Sequence, residues 1–161
     1  MIDILKKQGF SLTEETEKKL ELFKDILKEY NGKFNLTSIT DDEGIYEKHF
    51  ADSLKGEEFF SAGASVMEIG SGGGFPSVPL KIVRPDLKFT LTEATEKKCS
   101  YLKIAGEKLG FDNFNVINGR AEELGRDESY REKFDIVTAR AVARLNVLSE
   151  YCLPFVKTGG Y

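Results

Sequence analysis

The chain has 161 residues, of which 40% are hydrophobic and 31% charged, and its formal net charge is −4. This length suits a single domain, and the composition excludes a disordered or collagen-like chain. The apolar runs are short and broken by charge, which argues against a membrane span, and the amino terminus lacks the apolar core of a secretion signal. The acidic balance argues against a globally basic nucleic-acid binder, so any RNA contact must depend on a local basic patch.

The two cysteines, Cys99 and Cys152, form no C-x-x-C motif. We therefore expect neither a disulfide scaffold nor a metal site, and a reducing cytoplasm is the expected location. Both cysteines fall within predicted helices, so we expect them to be small core residues rather than nucleophiles.

Residues 1–60 are predicted to form a helical extension. The spacing of Ser11 and Glu14 is that of a capping box and predicts a helix start, and the Asn31-Gly32 pair predicts its end. A second helix is expected after Asp41-Asp42. Between these signals, apolar residues recur at intervals of three and four, which indicates one buried helix face: Leu20, Phe23, Leu27 and Tyr30.

Residues 61–161 alternate between short apolar strands and amphipathic helices. The predicted strands are 66–69, 89–92, 114–117 and 134–137. Strands separated by helices predict an α/β fold, with a parallel sheet and helices on both faces. Residues 157–161 resemble the turn into a further strand, so we expect carboxyl-terminal strands to be missing.

A glycine cluster, Gly70-Ser71-Gly72-Gly73-Gly74-Phe75, follows the first predicted strand. Doubly wound sheets bind ligands at this position, and glycine lets the backbone approach a ligand closely. Phe75 breaks a dinucleotide fingerprint, and the Gly-Lys-Ser/Thr of a phosphate-binding P-loop is absent. With Glu68, the pattern is E-x-G-x-G-x-G, which resembles the first motif of class I S-adenosylmethionine-dependent methyltransferases. The alternative is a tight turn that binds nothing.

Glu93 ends the second predicted strand, 23 residues after Gly70 (93 − 70). An acid at about this spacing can accept hydrogen bonds from both hydroxyls of a ribose, whereas the alternative is a solvated side chain. In class I methyltransferases the third loop passes the adenine ring, and here it contains Ala121 and Glu122. An ordinary charged helix start explains that loop equally well.

The fourth predicted strand ends at Arg140, where this superfamily tends to place its acceptor chemistry. The chain lacks the Asn/Asp-Pro-Pro-aromatic motif of many amino-group methyltransferases. Guanine N7 would need neither that motif nor a nucleophilic cysteine, because its lone pair attacks without prior loss of a proton. Arg140 is expected to contact the acceptor or the cofactor carboxylate, and the alternative is a surface salt bridge.

Four blocks match one family closely: Asn35-Leu36-Thr37-Ser38-Ile39; His49 with Asp52-Ser53-Leu54; residues 70–76 with Val78-Pro79-Leu80; and Arg140-Ala141-Val142-Ala143 with Leu145. On these blocks the sequence resembles the glucose-inhibited division protein B family, the bacterial 16S rRNA guanine-N7 methyltransferases. Three residues depart from the family pattern, namely Ser77 for a usual Gly, Lys48 for Arg and Glu93 for Asp.

The resemblance implies a class I methyltransferase sheet with a small helical extension, and S-adenosylmethionine as cofactor. It implies a methyl acceptor in 16S rRNA, within the small ribosomal subunit or an assembly intermediate, and we expect a monomer. If the residues at matching positions keep their roles in the family, Glu93 would bind the ribose. The remaining cofactor-binding residues would then be Gly70, Gly72, Gly74, Phe75, Ala121, Glu122 and Arg140.

The single histidine, His49, is expected to bond locally to Asp52 or Ser53 and to hold the helical extension over the cofactor pocket. Other functions stay open, namely a class I methyltransferase for proteins or small molecules and a non-catalytic nucleotide-binding or ribosome-assembly module. A dehydrogenase is disfavoured by Phe75. The residues expected to contact RNA are Lys97, Lys98, Lys103, Arg120, Arg140 and Arg144.

Overall fold

The computed structural model describes residues 2–161, and its first part is helical. Helix α1 spans Asp3–Lys7 and α2 spans Glu14–Phe34. A continuous helical segment follows, in which α3 (Asp42–Gly44) leads into a π-helix at Ile45–Ala51 and then into α4 (Asp52–Leu54). A 3₁₀ turn at Glu57–Phe59 precedes the sheet.

Both ends of α2 differ from the sequence prediction. Thr13, not Ser11, caps the helix, because the Thr13 hydroxyl accepts the Thr16 N–H at 3.2 Å. The helix also passes through Asn31-Gly32 and ends at Phe34. The Asn31 side chain makes tertiary contacts in place of a helix stop. Its Oδ1 accepts the Thr37 N–H at 2.8 Å, and its Nδ2 donates to the Thr37 carbonyl at 2.9 Å. Asn31 therefore fixes the segment that follows the helix instead of ending the helix.

The second part is a four-stranded parallel sheet, as predicted. The strands lie in the order β3-β2-β1-β4, and every neighbouring pair is parallel. The elements are β1 (Ser65–Ile69), α5 (Ser77–Val83), β2 (Lys88–Glu93), α6 (Glu96–Lys108), β3 (Phe114–Asn118), α7 (Ala121–Leu124), β4 (Ile136–Ala139), α8 (Leu145–Cys152) and a 3₁₀ turn at Leu153–Phe155.

Strand β4 begins two residues later than the sequence predicts. Phe134 instead forms an isolated parallel bridge with Val156, so it lies outside the four-stranded ladder. The ladder starts at Ile136, which pairs with Val66 of β1. Since all four strands are parallel, their carboxyl ends meet at one edge of the sheet.

Side chains of β1 alternate between two buried layers, as expected for a strand covered on both faces. Val66 packs in a cluster with Phe23 of α2 and Phe50 of the π-helix. Met67 points to the other face and packs in a cluster with Phe155. The helical first part therefore covers one face of the sheet, while the division of the chain at residue 60 stays a prediction. Within residues 2–161, none of the helices is both long and apolar enough to cross a membrane.

Candidate functional site

The glycine loop leaves β1 at the carboxyl edge of the sheet with a backbone that favours glycine. Gly70, Gly72 and Gly74 have φ angles of 64°, 52° and 87°. A Cβ at Gly70 would lie 2.8 Å from a methyl group of Val142, whereas a Cβ at Gly72 would meet nothing closer than 3.8 Å. A side chain at Gly70 would therefore force Val142 to move, whereas Gly72 presents bare backbone with only the Gly70 carbonyl nearby.

Glu93 fixes this loop from the end of β2. Its Oε2 accepts the Gly72 N–H at 3.0 Å, and its Oε1 accepts the Thr95 N–H at 2.9 Å. The side chain is 8% exposed, which excludes the solvated acid that the sequence left open. Each carboxylate oxygen keeps a second lone pair, so Glu93 can still accept hydrogen bonds from a ligand's hydroxyls.

Glu68 lies beneath the loop and is fully buried. Its oxygens accept the Ser77 N–H at 2.8 Å and the Ser77 hydroxyl at 3.0 Å, which ties β1 to the first residue of α5. Burial raises the pKa of Glu68 to about 7, although the Ser77 hydroxyl partly opposes that shift. Ser77, which departs from the family pattern, thus has a specific partner here.

His49 packs against Phe75, the residue that ends the glycine cluster. Its ring stacks on Phe75 with centroids 4.3 Å apart and an interplanar angle of 17°. Nε2 lies 2.8 Å from the Thr37 hydroxyl, and Nδ1 lies 3.3 Å from Nη2 of Arg140. The predicted local bond from the imidazole to Asp52 or Ser53 is wrong. The Ser53 hydroxyl bonds the His49 backbone carbonyl instead, and the ring points to the cavity.

The partners of His49 define its tautomer and charge. A guanidinium only donates, so Nδ1 accepts from Arg140 and the proton lies on Nε2, which donates to Thr37. Burial, and then the positive charge of Arg140, lower the pKa of His49 to about 4. His49 is therefore neutral near pH 7, and both ring nitrogens are engaged.

Arg140 links β4 to the helical segment. Its Nη2 donates to the Lys48 carbonyl at 2.9 Å and lies 3.6 Å from Oδ2 of Asp52. The guanidinium carbon lies 5.8 Å from the centroid of the Phe75 ring. Nη1 is buried without a hydrogen-bond partner, so Arg140 has a donor to spare in addition to its salt bridge.

These groups surround one cavity of about 390 Å³. Glycine backbone forms one wall, His49 and Phe75 form another, and the charges on its lining are the carboxylate of Glu93 and the cations of Lys98 and Arg140. This combination fits S-adenosylmethionine, whose methionine part carries a carboxylate and whose ribose carries two hydroxyls. The fit is supported by the open space at Gly72 and the unpartnered Nη1 of Arg140.

Three residues of the predicted cofactor set do not line this cavity. Gly74 is one of them, since a Cβ there would meet Val78 at 2.7 Å and Leu102 at 3.2 Å. Ala121 and Glu122 line a separate cavity of about 250 Å³, where Glu122 lies close to Tyr151 and raises the pKa of that phenol. The third loop is nevertheless tied to the site, because the Gly119 N–H donates to the Glu93 carbonyl at 3.1 Å. An adenine contact by Ala121 or Glu122 stays a prediction.

Most of the predicted RNA contacts lie just after strand ends at the carboxyl edge. Lys97 lies in the first turn of α6, Arg120 precedes α7, and Arg144 precedes α8; all three side chains are exposed. Lys98 instead lines the cofactor cavity. Lys103 lies exposed further along α6.

The prediction of core cysteines is confirmed for Cys99 and wrong for Cys152, which is only half-buried and lines a cavity beside Arg140. Cys99 is buried and lies 3.2 Å from the Glu93 carbonyl, and burial raises the pKa of both Cys99 and Cys152. A raised pKa keeps a thiol protonated and poorly nucleophilic. In the described part of the chain, no group of three or more His, Cys, Asp and Glu residues is arranged to hold a metal ion.

Leu36 and Thr37 belong to the cavity wall, although the sequence assigned them no role beyond a family block. The sequence feature that could have indicated this is Asn31, six residues before Thr37. Its side-chain amide can hydrogen-bond both the N–H and the carbonyl of Thr37. Thr37 then accepts the Ile39 N–H at 3.0 Å as well as the His49 proton.

The chain is similar to known proteins over nearly its whole length. The family described as rRNA small subunit methyltransferase G (GidB) matches residues 16–161. The protein named ribosomal RNA small subunit methyltransferase G from Brevibacillus brevis is 48% identical over 161 residues, which cover 99% of this chain and 68% of that protein. The protein of the same name from Lactobacillus helveticus is 47% identical, with 98% and 67% covered.

Solved structures show the same fold at lower identity. A putative caffeoyl-CoA O-methyltransferase from Staphylococcus aureus has a TM-score of 0.58 at 20% identity, covering 99% of this chain and 68% of that one. A SAM dependent methyltransferase from Aquifex aeolicus has a TM-score of 0.54 at 22% identity, covering 73% and 63%. The sheet is thus of the class I methyltransferase kind, and the chain belongs to the rRNA small subunit methyltransferase G family.

Proposed function

We propose that the protein transfers a methyl group from S-adenosylmethionine to N7 of a guanine in 16S rRNA of the small ribosomal subunit. The observation that carries this proposal is the cavity lined by the glycine loop, by Glu93 that fixes this loop, and by His49 and Arg140. The family match supports rRNA as the substrate class.

Bound S-adenosylmethionine would supply an electrophilic methyl group, and the residues of this chain would hold and orient it. The Gly70–Gly73 backbone and Arg140 would bind the methionine part, and Glu93 would accept hydrogen bonds from the ribose. Phe75 and His49 would exclude water from one side of the cavity, because their stacked rings form part of its wall.

The charge state of His49 favours an acceptor that needs no base. His49 is neutral, but Nδ1 is occupied by Arg140 and Nε2 already carries a proton directed to Thr37. It therefore has no free lone pair with which to remove a proton from an acceptor. Guanine N7 offers its own lone pair, so catalysis reduces to positioning and electrostatics.

The RNA substrate is proposed to be the assembled subunit or an assembly intermediate rather than naked rRNA. The net charge of −4 limits nonspecific attraction to phosphates, while exposed cations lie at the same edge as the cavity. We propose that the protein acts as a monomer.

The test is incorporation of labelled methyl groups from S-adenosylmethionine by the purified protein. Unmodified small subunits and naked 16S rRNA should be compared at equal concentration, with incorporation expected mainly into subunits. In parallel, S-adenosylmethionine should raise the melting temperature while NAD should not. Cofactor binding without transfer to either RNA would contradict the proposed substrate and redirect the search to proteins or small molecules.

A further inference from the structure

Thr37 lies between α2 and α3, outside any helix or strand, and it lines the cofactor cavity together with His49 and Arg140. Its hydroxyl lies 2.8 Å from Nε2 of His49. On the other side of the same ring, Nδ1 lies 3.3 Å from Nη2 of Arg140. The imidazole therefore connects a hydroxyl in the helical part of the chain to the guanidinium at the end of β4.

The position of Thr37 is fixed independently of His49. The Asn31 side chain bonds both backbone groups of Thr37, at 2.8 and 2.9 Å. The Thr37 hydroxyl also accepts the Ile39 N–H at 3.0 Å. Because Asn31 belongs to the 21-residue helix α2, the hydroxyl is anchored to a long element before it meets the imidazole. A group supported in this way is pre-organised to orient its partner.

The hydrogen-bonding capacity of each group sets the direction of these bonds. A guanidinium only donates, so Nδ1 of His49 accepts from Arg140 and Nε2 carries the proton. A hydroxyl oxygen has two lone pairs. In Thr37 one of them accepts the Ile39 N–H and the other accepts the Nε2 proton. The Thr37 hydroxyl is therefore the acceptor that completes the bonding of the ring.

Loss of this acceptor would act on the cofactor site through the imidazole. His49 is 8% exposed, so an Nε2 proton without an acceptor would be a buried, unsatisfied donor, which is unfavourable. The opposite tautomer would direct an Nδ1 proton at the guanidinium of Arg140, which also only donates. The ring could relieve either conflict only by turning, and it would then lose its bond to Arg140.

Arg140 depends on that bond for its own orientation. Its Nη2 is held by Nδ1 of His49 and by the Lys48 carbonyl, the latter at 2.9 Å. Its Nη1 is buried and has no hydrogen-bond partner among residues 2–161. Both nitrogens belong to one planar group, so the bonds at Nη2 fix the direction in which Nη1 donates.

A purely structural role for the Thr37 hydroxyl would be to close a turn by accepting the Ile39 N–H. That bond stays within the segment, whereas the bond to His49 reaches a side chain on the wall of the cofactor cavity. His49 also lies in the π-helix Ile45–Ala51, and π-helical turns frequently occur at functional sites. The two roles differ in whether the imidazole responds to loss of the hydroxyl.

We propose that Thr37 is a positioning residue of the cofactor site, which holds the His49 imidazole in its Nε2-protonated form and thereby orients Nη1 of Arg140 toward the carboxylate of S-adenosylmethionine. This inference rests on the proposed binding of the methionine part by Arg140. It adds the side chain that fixes this arrangement from the helical part of the chain. Thr37 acts through His49 and not on the reacting atoms.

The test uses the single histidine of the chain as a reporter. In protein with isotopically labelled histidine, the two ring nitrogens give separate NMR signals that identify the tautomer. The proteins are native, Thr37→Val, Thr37→Ser and Thr40→Val, because valine keeps the shape of threonine without its hydroxyl. Thr40→Val is the matched control, since Thr40 is exposed on the same segment. Melting temperature and S-adenosylmethionine affinity, by calorimetry, are measured for each.

We expect a single Nε2-protonated tautomer in the native protein, in Thr37→Ser and in Thr40→Val. Thr37→Val should show a mixture of tautomers and should bind S-adenosylmethionine about 3- to 10-fold more weakly. The same substitution is then made in the His49→Ala background. There Thr37→Val should cause no further loss of affinity, because the residue through which it acts is gone.

A single Nε2-protonated tautomer in Thr37→Val would overturn the inference, whatever the cofactor affinity of that variant. An equal loss of affinity from Thr37→Val in the native and His49→Ala backgrounds would also overturn it, because Thr37 would then act without His49. If the native protein binds no S-adenosylmethionine, the proposed function fails and the inference fails with it. That case is distinct, since the control and native proteins would then lack affinity as well.

Discussion

The Gly72 N–H donates a hydrogen bond to Oε2 of Glu93 across 3.0 Å, so a carboxylate at the end of β2 fixes the loop that leaves β1. The same side chain bonds the Thr95 N–H, which orients the start of α6. Loop, acid and helix are therefore one structural unit, and the cofactor site depends on all three.

Replacing Glu93 with Ala should weaken S-adenosylmethionine binding about 10- to 100-fold, because both the loop anchor and the ribose acceptor are lost. Isothermal titration calorimetry measures this directly. Glu93→Asp, which restores the usual family residue, should retain most of the affinity. Glu96→Gln is the control, since Glu96 is exposed on the next helix. Unchanged affinity in Glu93→Ala would show that this acid does not serve the cofactor.

Two glycine substitutions should separate stability from binding. Gly70→Ala should lower the free energy of unfolding by more than Gly72→Ala, because the new Cβ would meet Val142 at 2.8 Å. Gly72→Ala should cost about 1–2 kcal/mol for its left-handed backbone and should also reduce cofactor affinity. Urea unfolding and calorimetry give the two quantities.

Val142→Ala provides the check on the steric argument, because it removes the methyl group that a Cβ at Gly70 would meet. The double variant Gly70→Ala/Val142→Ala should lose less free energy of unfolding than the sum of the losses in the two single variants. Simple additivity of the two losses would contradict a direct contact between these positions.

The strands, the glycine loop and Glu93 could be predicted from the sequence because their signals are local. A buried strand, a run of glycines and an acid at the next strand end need no knowledge of distant contacts. The predicted fold class and the burial of Cys99 are confirmed for the same reason.

The sequence-based predictions fail where a residue distant in the chain determines the hydrogen bonding. The end of α2 was predicted at Asn31, but that side chain brackets Thr37 and the helix continues. The imidazole of His49 bonds Thr37 and Arg140, from two different elements, rather than its own neighbours. Neither contact follows from spacing along the chain.

Glu68 should make stability depend on pH. Its pKa is raised from the ordinary 4.5 to about 7, so between these values the folded protein holds a proton that the unfolded chain has lost. Folding then takes up a proton, and this contribution to stability is lost as pH rises through that window. The loss amounts to about 3 kcal/mol as an upper bound.

Glu68→Gln removes this titration while keeping the size of the side chain. Urea unfolding measures the free energy of unfolding of both proteins. Relative to Glu68→Gln, the value for the native protein should fall as the pH rises from 4.5 to 7. A difference that stays constant across this range would contradict a protonated Glu68.

His49→Ala should reduce cofactor affinity and methylation about 10-fold, because the stack on Phe75 and the link to Thr37 and Arg140 are both lost. Since the pKa of His49 is about 4, the methylation rate of the native protein between pH 6 and pH 8 should show no titration of this group. Lys55→Ala is the control, because Lys55 is exposed and directly follows α4. Unchanged methylation in His49→Ala would refute a positioning role.

Exposed cations at the carboxyl edge should contribute to RNA binding through phosphates. Lys97→Ala, Arg120→Ala and Arg144→Ala should each weaken subunit binding and reduce the salt slope by about 1, without changing cofactor affinity. Lys88→Ala is the matched control, because Lys88 begins β2 at the opposite edge of the sheet. If Lys88→Ala weakens binding as much as these three variants, the proposed RNA-facing edge is wrong.

The most direct test of the central claim is to find the methylated atom. Subunits treated with the purified protein and S-adenosylmethionine are subjected to strand cleavage specific for N7-methylguanine, and the 16S rRNA is mapped by primer extension. We predict a single new cleavage at one guanine, absent without cofactor and strongly reduced with Glu93→Ala. Methyl incorporation into 16S rRNA without any such cleavage would contradict N7 as the acceptor.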